Sequence, residues 1–294
     1  MNRLILHVGA PKTGSSAIQS FLCRYPVLDL HSGQTLTYGV VRKGRMLAGE
    51  DVRSANRFHP LGYLPSAEKL DDALGVLSQA DGPETEVLLL SQESWSRQAG
   101  MLRDPGMPVD IVMFVRPQVE WLRSAWWQWF AWTNRDGNPL HAWRFLRGQG
   151  ALDWSALAEE FRALDHVREV NIRLFRPDTD IVATFLDTIG AHAPRGADIA
   201  AFRRNASLTS HHLTLYRHMP WLRSANAAAM DAILTRLWPM GRKPPSPVNS
   251  ELAAEIIETL RGSNEKLLSL LPEEDAEFMR NDPRWWNAES VIPA

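Results

Sequence analysis

The sequence predicts an α/β fold: a central parallel sheet flanked by helices, with a mostly helical C-terminal part. Three observations carry this. Apolar, β-branched runs of strand length occupy residues 3–8, 86–90 and 109–115, the later two bounded by Gly or Pro. Segments of helical periodicity lie between them, at 15–23, 68–77 and 117–133. Beyond about residue 195 the strand-like runs stop and helical ones continue. Strands that alternate with helices pair in parallel, because each helix carries the chain back across the sheet.

Residues 3–8 read as a buried strand and 15–23 as the helix after it. His7 falls inside that strand and is expected to be a satisfied core or strand-end histidine. Residues 30–65 are rich in Gly, Arg and His without periodicity, and are expected to be an excursion, part loop and part short strand. Leu70, Ala73, Leu74 and Leu77 mark a helix over 68–77. Residues 86–90 and 109–115 are strands, and 117–133 a tryptophan-rich helix. Helices follow at 140–147 and 154–164, a strand at 167–175, and a helix over 179–189 that Gly190 closes. The remaining helices span 209–223, 227–237 and 250–271, with the linker GRKPPSP at 241–247. The whole of 1–294 is expected to form a single domain.

Composition narrows the function. A net charge of −2 argues against a polycationic nucleic-acid binder, so any anion site is local. Cys23 is the only cysteine, which excludes an internal disulfide and a cysteine-based zinc site. No charged-then-apolar leader and no long apolar run occur, so a cytoplasmic protein without a membrane span is expected. Twelve tryptophans are unusual; most are expected to pack cores, and some to line an acceptor groove.

The stretch HVGAPKTGSS, residues 7–16, follows the first strand and opens the first helix. Such a turn presents free backbone N–H groups, reinforced by the helix dipole, to an anion. Gly9 and Gly14 permit close approach and positive φ. Lys12 adds a charge, and Ser15 and Ser16 add hydroxyl donors. The plain alternative is an ordinary strand–helix turn with a surface lysine. The order is not that of a nucleotide triphosphatase, in which lysine follows the second glycine. A kinase also needs a magnesium carboxylate, and the strand over 109–115 ends in Arg116; only Glu93, after LLLSQ, retains that reading. On the helix over 117–133, Ser124, Gln128 and Arg135 fall in the gap between the tryptophans. Arg116 paired with Glu120 is the plain alternative there.

With these residues in place, HVGAPKTGSS resembles the 5′-phosphosulfate loop of the sulfotransferases that use 3′-phosphoadenosine 5′-phosphosulfate (PAPS). That family's loop reads Pro-Lys-[Ser/Thr]-Gly-[Ser/Thr]-[Ser/Thr], which Pro11, Lys12, Thr13, Gly14, Ser15 and Ser16 match. Its second motif, a strand-end arginine with a serine eight residues on, is met by Arg116 and Ser124. Weaker likenesses run through RLFRPDTDIVATFLDTIG (173–190), FRRNASLT (202–209) and GSNEKLLSLL (262–271), so nearly the whole chain is covered. Trp126 stands where many members carry tyrosine.

The resemblance implies a P-loop-like sulfotransferase fold and PAPS as the donor, with no metal. It places the donor's 5′ end on residues 11–16 and its 3′-phosphate on Arg116 and Ser124, helped by Arg203 or Arg204. Lys12 would stabilise the leaving group. Glu93 is the first candidate for the base that takes the acceptor proton, and His59 the second; for Glu93 the plain alternative is a carboxylate capping a helix start. The excursion at 30–65 and the part from about 195 onward would face the acceptor, which is a carbohydrate, a glycolipid or a small molecule. Two other readings stay open: a kinase using ATP and magnesium, and a non-catalytic nucleotide-binding member. Oligomeric state is open.

Overall fold

The computed structural model describes residues 2–57, 59, 62–66, 68–79, 86–131, 138–202, 208–219, 221–224, 227–238, 241–242 and 246–291. β1 (Arg3–His7) leads through residues 8–14 into α1 (Ser15–Arg24). β2 (Val27–Asp29), β3 (Thr35–Arg42), β4 (Arg45–Ala48) and α2 (Glu50–Asn56) follow. Then come α3 (Leu70–Gln79), β5 (Val87–Ser91), β6 (Val109–Val115) and α4 (Gln118–Ala125), with a π-helical turn over Trp126–Phe130. α5 (Pro139–Gly148), α6 (Trp154–Arg162), β7 (Val167–Leu174) and α7 (Ile181–Ile189) succeed it. The chain closes with α8 (Ser210–His218), α9 (Trp221–Ser224), α10 (Ala227–Leu237), α11 (Ser250–Leu268) and α12 (Glu273–Asn281).

These residues fall into two compact units. The first comprises Met1–Arg116, Gly150–Arg203 and Leu260–Asp282, and the second Pro117–Gln149, Arg204–Thr259 and Pro283–Ala294. The first unit holds a seven-stranded sheet of order β2-β3-β5-β1-β6-β7, with β4 also on β3. The run β3-β5-β1-β6-β7 is parallel throughout, and β2 and β4 pair antiparallel with β3. β5 and β6 are buried along their whole length, as strands covered on both faces must be. α1 and α7 contribute Ile18, Phe21, Leu22, Phe185 and Leu186 to the core cluster that also holds Ile5, Leu89 and Phe114.

The segment at 30–65 departs from expectation. Its residues 35–42 are a full strand of the parallel sheet, with Leu36 to Gly39 in register with Val87 to Leu90. Cys23 is buried in α1, its Sγ accepts from the Leu64 amide at 3.2 Å, and burial raises its thiol to about 11. That contact ties the segment back to α1. At the other end of the sheet, Asp110 is buried in β6 yet paired: Arg168 of β7 donates Nε and Nη2 to it at 2.8 and 2.7 Å, and Arg3 of β1 pairs with it from the other side. A buried carboxylate is tolerable only with such partners.

In the second unit, α4 ends at Ala125 and the next turn widens, with the Ala131 amide bonded to the Trp126 carbonyl at 2.9 Å. The helix expected over 117–133 therefore changes pitch at Trp126, and an even 100° wheel does not hold past that residue. The helix expected over 209–223 is split into α8 and α9, close to Pro220, which disfavours helical geometry in the residue before it. Thr209 and His212 form a reciprocal cap at the start of α8, and His212 Nε2 bonds the Trp238 carbonyl at 2.8 Å. Among the tryptophans, Trp95, Trp143, Trp154 and Trp285 are fully buried, whereas Trp129, Trp221 and Trp238 are exposed.

Candidate functional site

β1, β5 and β6 run parallel and end at one edge of the sheet. Three segments leave that edge: residues 8–14, the turn at Glu93–Arg97, and Arg116. In an open α/β sheet the carboxyl ends of the strands form the ligand crevice.

Gly14 caps α1 in the left-handed region at φ 88°, and no side chain caps that helix. α6 and α7 of the same unit, by contrast, are capped by Asp153 and Asp180. The start of α1 thus presents its amides to the crevice. Lys12 is also left-handed, at φ 69°. For a residue with a Cβ this costs about 1–2 kcal/mol, and such strain gathers at functional sites. Thr13 is buried, and its hydroxyl donates to the Ala10 carbonyl, closing the loop on itself.

Both glycines are required by space, but only Gly14 by angle: Gly9 does not take the positive φ expected of it. A Cβ at Gly14 would stand 3.0 Å from Ile181 Cγ1 and 3.0 Å from Phe175 Cε2. Gly14→Ala is therefore expected to lower the melting temperature by several degrees, since left-handed strain of about 1–2 kcal/mol adds to the crowding. A thermal scan checks this; an unchanged midpoint would contradict the left-handed cap. A Cβ at Gly9 would stand 2.9 Å from both His7 Nε2 and Ser15 Oγ.

Glu93 opens a 3-10 turn after β5 and is half-buried. Gln92, the residue before it, makes no side-chain cap of that turn. Burial raises its pKa above the usual carboxylate value, and the Lys12 ammonium and Ser15 hydroxyl oppose that rise. Lys12, Ser15 and Glu93 are thereby brought together from two strand ends. Arg116, at the end of β6, donates Nη1 to the Lys12 carbonyl at 3.0 Å and lies 5.3 Å over the Phe175 ring. Its own carbonyl accepts from Trp154 Nε1 at 3.0 Å. The arginine therefore holds the loop from the neighbouring strand.

His59 follows α2, its amide bonded to the Asn56 carbonyl at 2.9 Å. Burial and the Arg42 guanidinium lower its pKa, against a backbone hydrogen bond with Tyr63 that raises it. Ser124 is half-buried on α4, in the second unit. Arg203 and Arg204 lie outside the described residues, as do Arg135 and the Gln128 side chain.

His7, expected to be a satisfied core or strand-end histidine, is placed at the end of β1. Its Nδ1 meets Ser91 Oγ at 2.8 Å, and Gln19 Nε2 donates to the same hydroxyl at 3.2 Å. Its Nε2 has no hydrogen-bond partner although the ring is buried, so the expected satisfied histidine is satisfied on one side only. Ser15 Oγ is likewise buried and meets no partner beyond the nearby Glu93 carboxylate. Buried polar atoms left in this way are uncommon and call for a ligand or an ordered water. The sequence signal was present, a histidine ending the first strand next to Gly9, but its partners lie far along the chain.

No protein-family model and no curated protein matches the chain. Among solved structures it is similar to the crystal structure of a sulfotransferase from Alicyclobacillus acidocaldarius, with a TM-score of 0.42 and 12% sequence identity, covering 80% of this chain and 98% of that one.

Proposed function

We propose that this protein is a sulfotransferase that moves a sulfonate group from PAPS to a hydroxyl or amine of its acceptor. The observation that carries this reading is the cradle at the end of β1. An uncapped helix start, a left-handed lysine, the buried Ser15 hydroxyl and the unpartnered Nε2 of His7 all belong to this loop and the strand end before it. Together with the order Pro-Lys-Thr-Gly-Ser-Ser, that donor set suits the phosphate end of such a nucleotide. Hydroxyls, amides and an ammonium are the groups that bind a sulfated phosphate.

In this reading Glu93 takes the proton of the acceptor as the acceptor oxygen or nitrogen bonds to sulfur. The electron pair of the broken sulfur–oxygen bond stays on the 5′-phosphate. Lys12 and the amides of residues 13–16 receive that charge, which is greater in the transition state than before it. Arg116 and Ser124, with Arg203 or Arg204, would hold the 3′-phosphate. The acceptor is a carbohydrate, a glycolipid or a small molecule.

Calorimetric titration with 3′-phosphoadenosine 5′-phosphate in EDTA tests the reading, with ATP and magnesium run in parallel. Binding of the bisphosphate without metal is expected. Binding of ATP with magnesium and not of the bisphosphate would overturn it in favour of a kinase.

A further inference from the structure

His7 sits at the last position of β1, and its ring packs against Phe114 and Phe185 at centroid distances of 6.1 and 5.3 Å. Three side chains form a buried chain beneath the loop: Gln19 Nε2 donates to Ser91 Oγ, and Ser91 Oγ meets His7 Nδ1. All three are at most 1% exposed. Ser91 Oγ accepts from Gln19 with one of its two lone pairs, and we assign its own proton to Nδ1. Nδ1 then acts as the acceptor, and in a neutral ring the remaining proton belongs on Nε2. A Cβ at Gly9 would stand 2.9 Å from both that nitrogen and Ser15 Oγ, so the two atoms line one gap, although no hydrogen bond joins them across it.

We propose that His7 is a positioning residue of the anion loop: Gln19 and Ser91 fix its tautomer so that Nε2–H serves as a buried donor that orients the Ser15 hydroxyl toward the bound phosphate group. Ser15 is the first residue of α1, so its proton turns about one torsion and reaches either the Glu93 carboxylate or the anion. With Nε2–H donating to Ser15 Oγ, the Ser15 proton is directed to the ligand, not back into the protein. Gly9 is then required, because any side chain there would fill the gap between the two. Burial pushes the His7 pKa down to about 3, so the ring stays neutral over the physiological range and its tautomer is set by Ser91 alone. This inference rests on reading residues 9–16 as an anion loop, and is independent of which nucleotide the loop takes.

Two isosteric variants separate the two ring nitrogens. The Asn amide of His7→Asn overlays Nδ1 and keeps the contact with Ser91 but lacks the Nε2 donor. The Gln amide of His7→Gln reaches the Nε2 position and restores the donor. Affinity for 3′-phosphoadenosine 5′-phosphate, or for ATP with magnesium if only that binds, is expected to fall roughly ten- to hundredfold in His7→Asn, the loss typical of a hydrogen bond to a charged group. It is expected to be largely kept in His7→Gln. Nitrogen-15 NMR of the wild-type imidazole rings is expected to show His7 as the Nε2–H tautomer, with that proton shifting when nucleotide is added. Equal affinity of both variants and wild type, or equal loss in both, would overturn the proposal. So would an Nδ1–H tautomer, a result that needs no bound ligand and no folded variant. Failure of the bisphosphate to bind wild type, with ATP binding in its place, would sink the sulfotransferase reading and leave the His7 comparison to be made on ATP.

Discussion

Lys12→Ala is expected to weaken binding of 3′-phosphoadenosine 5′-phosphate by roughly ten- to hundredfold and to lower turnover further, by about a hundred- to a thousandfold. The asymmetry follows from where charge develops. The Lys12 ammonium meets a phosphate already charged in the bound donor, and more so as the sulfur–oxygen bond breaks. Alanine keeps the left-handed strain of φ 69°, because it too has a Cβ, so its melting temperature should stay near that of wild type. Lys12→Gly separates fold from function: it relieves the strain and should melt no lower than Lys12→Ala, while losing the same affinity. Calorimetry and thermal scans of the two variants check this. A Lys12→Ala protein that binds the bisphosphate as wild type does would remove lysine from the site.

Glu93→Gln is expected to keep bisphosphate binding and to lose turnover by about a hundred- to ten-thousandfold, the contribution typical of a positioned base. Glutamine retains the size of the side chain and removes the negative charge beside the anion, so affinity should hold or rise. The pH dependence has a definite sign. Burial raises the Glu93 pKa, with Lys12 and Ser15 opposing the rise. A base works when ionised, so turnover should climb with pH through that raised value, and the acid limb should lie above the range of an ordinary carboxylate. Lys12→Ala removes the cation that favours the ionised form and should move the limb further up in its residual activity. Glu93→Gln should abolish the limb. A pH–rate profile of the three proteins reads all of this. An unchanged acid limb in Glu93→Gln would assign the proton to another group, with His59 the next to examine.

The strands at β1, β5, β6 and β7 and the helices α1, α7 and α10 were legible because each states its type locally. Apolar runs of strand length stop at polar residues or Pro, and helical periodicity stops at Gly190 or runs unbroken. β3 was not legible as part of the parallel sheet. Its sequence TLTYGVVR lies in a segment without periodicity, and its place is set by pairing with β5, some fifty residues on. The pitch change at Trp126 was hidden for a similar reason, since one helical turn widens without leaving a mark in the pattern of apolar residues.

The candidate site divides along the same line. The loop can be read directly from residues 9–16: two glycines, a lysine and two serines between a strand and a helix, with Glu93 and Arg116 at the ends of two further strands. Those are contiguous or strand-end features, and the chemistry of a helix start follows from backbone geometry alone. How those ends meet depends on packing between distant parts of the chain. Arg116 reaches the Lys12 carbonyl across 104 residues of chain, and His7 reaches Ser91 across 84. Partners so far apart carry no local signature, because they become neighbours only when β1, β5 and β6 align in one sheet. The unpartnered nitrogen of His7 exists for that reason: sheet register satisfies one side of the ring and leaves the other beneath the loop.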